Sequence, residues 1–487
     1  MSRMQTSRLH PMALLASFLL LAGCGGSDAE PGAAAAGGDS AAVAAGGQEQ
    51  TAASAAPARD VMSKVPSPLR GIYLNAYAAG SRTRLPKLIQ MANDSEVNAF
   101  VIDWKDEKGI HYVGSEVALA NELAQPGELT LKDPKALLDT LRANNIYTIA
   151  RIVIFKDPIL SKAHPDWSVQ KAGGGLWADK AGNTWVSPWD ERVWDYNIAI
   201  AEEAAKAGFD MIQFDYVRFA EPYKSLPAQV HPRAKGDRTD AIAAFLNRAK
   251  QRLHPLGVPV TADVFGLTPN TPDDLDIGQQ WETISATADV IKPMVYPSHY
   301  FPTHLRGVPR PNRMPYETVF QSVGMAVVRN QRLKDAGVPR PARIVPWLQA
   351  FNAPWVDKNY PYGPEQLRAQ TKAVYDLGLE DWILWNPGSR YEQVAAGFDR
   401  TLQTHRRSYN PPEVVVSAVA RMEKQGVMAA REKAAEQARG KTTDPAAANA
   451  ARTGREQTEP SPGTPTPGTS APKEAIPAPA NPAGAGR

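Results

Sequence analysis

The chain has 487 residues, with 54 Lys and Arg against 51 Asp and Glu and a formal net charge of +3. A balance so close to neutral leaves no electrostatic footprint for nucleic acid or for an acidic polymer. A single cysteine excludes an internal disulfide framework and any cysteine-based metal cluster.

In chain order, Arg3, Arg8 and His10 precede an apolar run from Met12 to Ala22, then Gly23 and Cys24. A short apolar run behind a basic head is the layout of a secretory signal peptide, too short for the roughly 20 apolar residues of a membrane span. Leu21-Ala22-Gly23-Cys24 resembles the lipobox of bacterial lipoproteins. Residues 1–24 are therefore expected to be a signal peptide with lipidation at Cys24, holding a secreted protein to the membrane at the periplasmic face or the outer membrane. A signal peptide that merely ends near a cysteine is the alternative. Residues 25–66 are mostly Ala, Gly, Ser and Gln and read as a flexible tether. Residues 67–412 are left for one large domain. Beyond it, residues 413–487 begin with helix-compatible Ala, Glu, Lys and Arg, best read as a solvated helix, and end in a Pro-, Thr- and Ala-rich tail read as disordered.

Short β-branched runs recur through the large domain, separated by helical stretches. They lie at 71–75, 99–104, 147–155, 211–215, 258–264, 290–296, 343–348 and 382–386. Asp133-Pro134 opens one intervening helix, and Gly208 and Gly378 close two others. Eight strands alternating with helices is the count that closes a parallel (β/α)8 barrel. An open doubly wound sheet is the rival arrangement. It usually carries a glycine-rich phosphate turn after the first strand, and residues 71–80 have none.

Acids and aromatics gather at the C-terminal ends of these strands, the end at which a barrel builds its site. Asp103 and Trp104 end the second strand, Lys156 and Asp157 follow the third, and Asp215, Tyr216 and Arg218 end the fourth. Asp263 and Phe265 end the fifth, Tyr296 and His299 the sixth, Trp347 and Gln349 the seventh, Trp385 and Asn386 the eighth. An acid closing an apolar run is costly unless paired or functional. For Asp106 and Asp157, helix capping or an ion pair competes evenly with chemistry. Trp104, Tyr216, Phe265, Tyr296, Trp347 and Trp385 offer flat faces for sugar rings, although any one of them alone reads as ordinary packing. Asp103, Gln349 and Asn386 offer hydrogen bonds to hydroxyls.

Glycosidic hydrolysis needs two carboxyl groups. Asp215 is the expected nucleophile or base, kept ionised by Arg218 or Lys156, and Asp263 the expected acid with a raised pKa. Asp103 is held in reserve for either role. The segments 70–73, 209–219, 262–266 and 291–300 resemble the bacterial glycosyl hydrolase family long known only as a domain of unknown function, over about 69–391. That resemblance implies a barrel and carbohydrate hydrolysis in the cell envelope. A more distant likeness, to barrel enzymes acting on α-linked glycans, implies a strand-four nucleophile and touches Asp215 only.

Other chemistries lack their marks. There is no Walker loop, no His-Glu-x-x-His, no Gly-x-Ser-x-Gly and no His-x-His at the first strand end, so no cofactor or metal is expected. The expected partner is a polysaccharide or oligosaccharide. The competing reading is a non-catalytic carbohydrate-binding scaffold, which would keep the aromatics and need no acid of raised pKa.

Overall fold

In the computed structural model of the chain, residues 60–426 are described. The signal peptide, Cys24, nearly all of the tether and the final tail lie outside them.

Eight parallel strands close on themselves. They are β1 (Arg70–Leu74), β2 (Ala99–Asp106), β3 (Tyr147–Val153), β4 (Met211–Asp215), β5 (Val260–Phe265), β6 (Val290–Val295), β7 and β8 (Trp382–Trp385). The seventh, β7, comes in two pieces, Arg343–Ile344 and Trp347–Gln349, because Pro346 has no N–H to give the ladder. The pairing runs in sequence order from β1 to β8, and β8 returns to β1 through Gly71 opposite Ile383. A short antiparallel segment, Gly109–Ile110, is appended to β2. The barrel expected from the sequence is thus the one formed, and the open sheet is not.

Among the described residues, the seven longest helices between the strands are α1 (Arg84–Asn93), α2 (Pro134–Ala143), α3 (Glu191–Ala207), α4 (Arg238–Leu253), α5 (Trp281–Thr287), α6 (Pro315–Asp335) and α7 (Pro364–Asp376). Their ends follow local chemistry. Asp133 accepts the Ala136 N–H ahead of Pro134 at the start of α2, and Gly208, at φ 112°, terminates α3 in the left-handed region. After β8 the chain makes a 3-10 turn, Ala395–Gly397, and then a helical stretch over 413–426. That stretch is not wholly solvated, contrary to its charge pattern. Val419 is buried against Met325 and Val328 of α6, and Arg332 of α6 pairs with Glu423.

Period-two alternation sorts each strand into an inner and an outer face. Ile72, Phe100, Ile102, Ile152, Ile212, Phe214 and Val264 pack outward beneath the helices. Val101, Ile149, Met211, Val290, Val345 and Ile383 face the axis, with Leu69 and Val65 in the same cluster. The same inner face carries Asp103, Arg151, Gln213, Asp215, Asp263 and Lys292 further up. Burying so many charges is tolerable only if each meets a partner.

Candidate active site

The inward polar residues open into a cavity of about 480 Å³ at the C-terminal ends of the strands. Asp103, Asp215, Asp263, Tyr216, Arg218 and Phe265 line it, as do Tyr296, His299, Trp347, Trp385 and Asn386. Eleven residues singled out from sequence therefore reach one mouth.

Arg151, on β3, is the centre of one side. Its Nε and Nη2 donate to Oδ2 of Asp215 at 3.0 and 2.6 Å, and its Nη1 donates to Oδ1 of Asp103 at 2.6 Å. The guanidinium also lies over the rings of Trp385 and Tyr73, at 5.2 and 5.7 Å. Those two rings stack on each other at 4.0 Å, and the Tyr73 hydroxyl donates to Oδ2 of Asp103. Arg151 is therefore the cation in direct contact with Asp215. Lys156 and Arg218, expected in that role, are engaged elsewhere. The Lys156 ammonium sits 4.8 Å from the Tyr216 ring centre, one layer behind the cavity. Arg218 pairs with Glu221 at 3.1 Å and lies among Phe265, Trp185 and Tyr216, at 4.5, 4.9 and 5.1 Å.

Both oxygens of Asp103 are taken, by Tyr73 and Arg151, and burial lifts its carboxyl above the usual range. Its position suits holding Arg151 better than donating a proton to substrate.

Asp215 is further fixed by the residue after it. Tyr216 adopts φ 50°, a region that costs a non-glycine residue about 1–3 kcal/mol. In that conformation its amide donates to Oδ1 of Asp215 at 2.6 Å and its ring faces the cavity.

Asp263 has a different setting. Nε2 of Gln213 donates to its Oδ2 at 2.7 Å, and the Trp347 indole donates to its Oδ1 at 2.9 Å. Burial, and then the negative charge of Asp215, push its carboxyl well above the ordinary carboxylate range. Lys292, the Trp347 indole and Arg151 oppose that push without cancelling it.

Two expected ligands are corrected, and a third reaches the mouth with its amide already engaged. Trp104 follows Asp103 on a strand, so it must face the other way. It stacks on Tyr112 at 3.6 Å, outside the barrel and under the helices. Gln349 is fully buried, and its side-chain amide accepts from Ser298 N–H and donates to the Phe351 carbonyl. Asn386 borders the cavity, but its amide holds the backbone of Ala350, Gly388 and Arg390. Asp157 caps the short helix Pro158–Ala163 and pairs with buried Lys105 at 2.8 Å, so the capping reading holds for it.

The cavity also gathers residues that the sequence reading passed over. Tyr73, Arg151, Glu107, Phe351 and Trp355 all line it. A charge inside an apolar strand was the available signal for Arg151, and Glu107 sits one residue beyond Asp106. Trp355 is 65% exposed at the rim, roughly parallel to Phe351 (15° between planes). At the opposite end of the barrel, Glu96, Asp399 and His405 have ligand atoms within 4.8 Å of one another. The Glu96 carboxylate there is already held by Arg70 at 2.5 Å, an ion pair rather than an open cage.

A closed parallel barrel, with carboxyl groups and aromatic faces converging on its C-terminal mouth, defines a glycoside-hydrolase-like (β/α)8 protein. The family described as "Putative glycosyl hydrolase domain" matches residues 71–391, and the chain belongs to that family. No curated protein matches the chain. Among solved structures, it is similar to a hypothetical protein from Ruminiclostridium thermocellum, at 36% identity over 40% of this chain and 97% of that one, with a TM-score of 0.36. It is also similar to the PgaB (BpsB) glycoside hydrolase domain from Bordetella bronchiseptica, at 14% identity over 66% and 95% of the two chains, TM-score 0.48. A third likeness is to alpha-L-fucosidase isoenzyme 2 from Paenibacillus thiaminolyticus, at 14% identity over 73% and 49%, TM-score 0.46. With TM-scores this low, these likenesses add nothing to the barrel that the strand pairing already defines.

Proposed function

We propose that the protein is a glycosidase that cleaves a cell-envelope or extracellular polysaccharide with Asp215 and Asp263 as its carboxyl pair. The observation that carries this reading is the contrast between the two groups within one cavity. Asp215 is bound by a guanidinium, whereas Asp263 is buried with neutral N–H donors and its proton affinity is raised. One carboxylate and one carboxylic acid are what the reaction needs. Asp263 gives its proton to the leaving oxygen as the glycosidic C–O bond breaks, and Asp215 supplies the attack, directly or through water. The Arg218 guanidinium and the rings around it form one wall, while Trp385 and Tyr73 form the other. Trp355 and Phe351 extend the aromatic surface to the rim, which favours a chain of sugars over a single small glycoside.

The lipobox-like Leu21-Ala22-Gly23-Cys24 supports the further proposal that the enzyme is lipid-anchored at Cys24 on the bacterial envelope.

The test is reducing-end release from α- and β-linked bacterial envelope polysaccharides by the full chain beside its Asp215→Asn and Asp263→Asn variants. Cleavage by wild type, with binding but no cleavage by Asp215→Asn, is the expected result. Equal binding by all three proteins with no cleavage by any would replace the hydrolase with a carbohydrate-binding scaffold.

A further inference from the structure

Below the mouth, the barrel interior holds a charged residue that the chemistry above does not use. Lys292, on β6, is completely buried. Among the described residues its ammonium has one hydrogen-bond acceptor, Oε1 of Gln213 on β4, at 2.5 Å. The other end of that amide, Nε2, is the donor that reaches Oδ2 of Asp263 at 2.7 Å. Lys292 and Asp263 are also register neighbours on β6 and β5. An apolar residue of the same length could fill that space without the several kcal/mol that burying an ammonium costs.

A side-chain amide has a donor end and an acceptor end, and it can face either way. An ammonium has donors only. Lys292 therefore fixes which way Gln213 points: Oε1 must turn to the lysine, which leaves Nε2 for the carboxyl of Asp263. Reversal would set Nε2 against the ammonium, and would set Oε1 against Asp263 with nothing to accept from once that carboxyl has given up its proton. The lysine also places a positive charge one amide away from the carboxyl.

We infer that Lys292, acting through the Gln213 amide, is a positioning residue that sets the proton affinity of Asp263. The inference deepens the glycosidase reading and rests on Asp263 being its acid. The groups facing Asp263 are Arg151 from β3, Gln213 and Asp215 from β4, Lys292 from β6, Tyr296 just after β6, and Trp347 from β7. Burial and Asp215 raise the carboxyl; Lys292, the Trp347 indole and Arg151 lower it. Burial in turn lowers the lysine, and Asp263 resists that. Without Lys292, Asp263 would hold its proton too tightly to release it to a leaving oxygen. With Lys292 present, the carboxylate left behind is stabilised as the proton departs.

The Trp347 indole donates to Oδ1 of Asp263, so its N–H resonance reports the protonation of that carboxyl without any substrate. The experiment is a pH titration of indole-labelled full chain by NMR. Trp347→Phe identifies the resonance, and Asp263→Asn must abolish its titration. Lys292→Gln keeps a donor for Gln213 but loses the charge, and Lys292→Met loses both. The expected result is a midpoint moved upward by about one pH unit in each Lys292 variant. The alkaline limb of glycan hydrolysis should move the same way. An indole midpoint unchanged in both variants overturns the inference, and so does a wild-type resonance that never titrates. If no glycan is cleaved yet the midpoint moves, the hydrolase reading fails and the coupling stands. If Asp215-dependent cleavage is found with an unmoved midpoint, only the coupling fails.

Discussion

The two sides of the mouth hold the same residue type in opposite surroundings. On one side, Asp215 meets a guanidinium through two N–H donors, with its own neighbour's amide on the second oxygen. On the other, Asp263 meets an indole and an amide, and the nearest cation stands one residue further away. Asp263 is raised by burial and by the charge of Asp215, and its neutral donors do not undo that, whereas Asp215 has a cation in direct contact. The difference teaches that in a packed barrel the role of an acid is written on the adjacent strands, in Arg151 and Gln213, more than on the acid itself.

The comparison can be broken most severely at the member paired with the guanidinium. Asp215→Asn should lower kcat/KM on a cleaved glycan by about 10⁴-fold while leaving glycan affinity within a few-fold, read by steady-state kinetics and calorimetry. Removing the cation is next. Arg151→Met leaves two buried carboxylates facing each other, and urea denaturation should show a loss of about 3–5 kcal/mol. A variant as stable as wild type would mean that Asp103 and Asp215 do not depend on that guanidinium.

On the protonated side, Trp347→Phe removes one donor to Asp263, at about 1.5–3 kcal/mol for a hydrogen bond to a charged group. The loss falls on the carboxylate form, so the pKa rises further. Because the folded pKa is raised, the acid form exists below it and is lost as pH rises through it. The alkaline limb of the rate profile should therefore lie above the ordinary carboxylate range in wild type, and higher still in Trp347→Phe. A limb that stays in place would remove Trp347 from the acid's surroundings.

Smaller effects sharpen the boundary of the site. Trp355→Ala should weaken binding of a long glycan about tenfold, roughly 1.4 kcal/mol, and a short oligomer less. Its stability should stay within about 0.5 kcal/mol, since the side chain is mostly in water. Trp104→Phe should do the reverse, lowering stability by about 1 kcal/mol through lost packing on Tyr112 without changing glycan affinity. Weakened binding in that variant would return Trp104 to the mouth.

The barrel was readable because eight apolar runs recur with helices between them, and all eight strands lie within two residues of where the periodicity puts them. Asp215 and Asp263 stood out as acids ending such runs. What could not be read is which groups meet across strands. Arg151 and Lys292 sit inside apolar runs and gain meaning only from register, which sets Arg151 opposite Gln213, two residues short of the Asp215 that its guanidinium reaches, and Lys292 opposite Asp263. Trp104 was misplaced although alternation alone separates it from Asp103. Trp355 and Phe351 come from the connection after β7, where no period marks which side chain turns inward.

Inside the strands, Leu69, Val65, Tyr147 and Ile149 close the end of the barrel away from the mouth. The interior is therefore a blind vestibule rather than a passage. The polysaccharide of the proposed function would therefore not thread through it but would lie across the entrance with one stretch dipped inward. Whatever enters has to leave by the same opening, so departure of one fragment and arrival of the next compete for a single doorway flanked by Trp355.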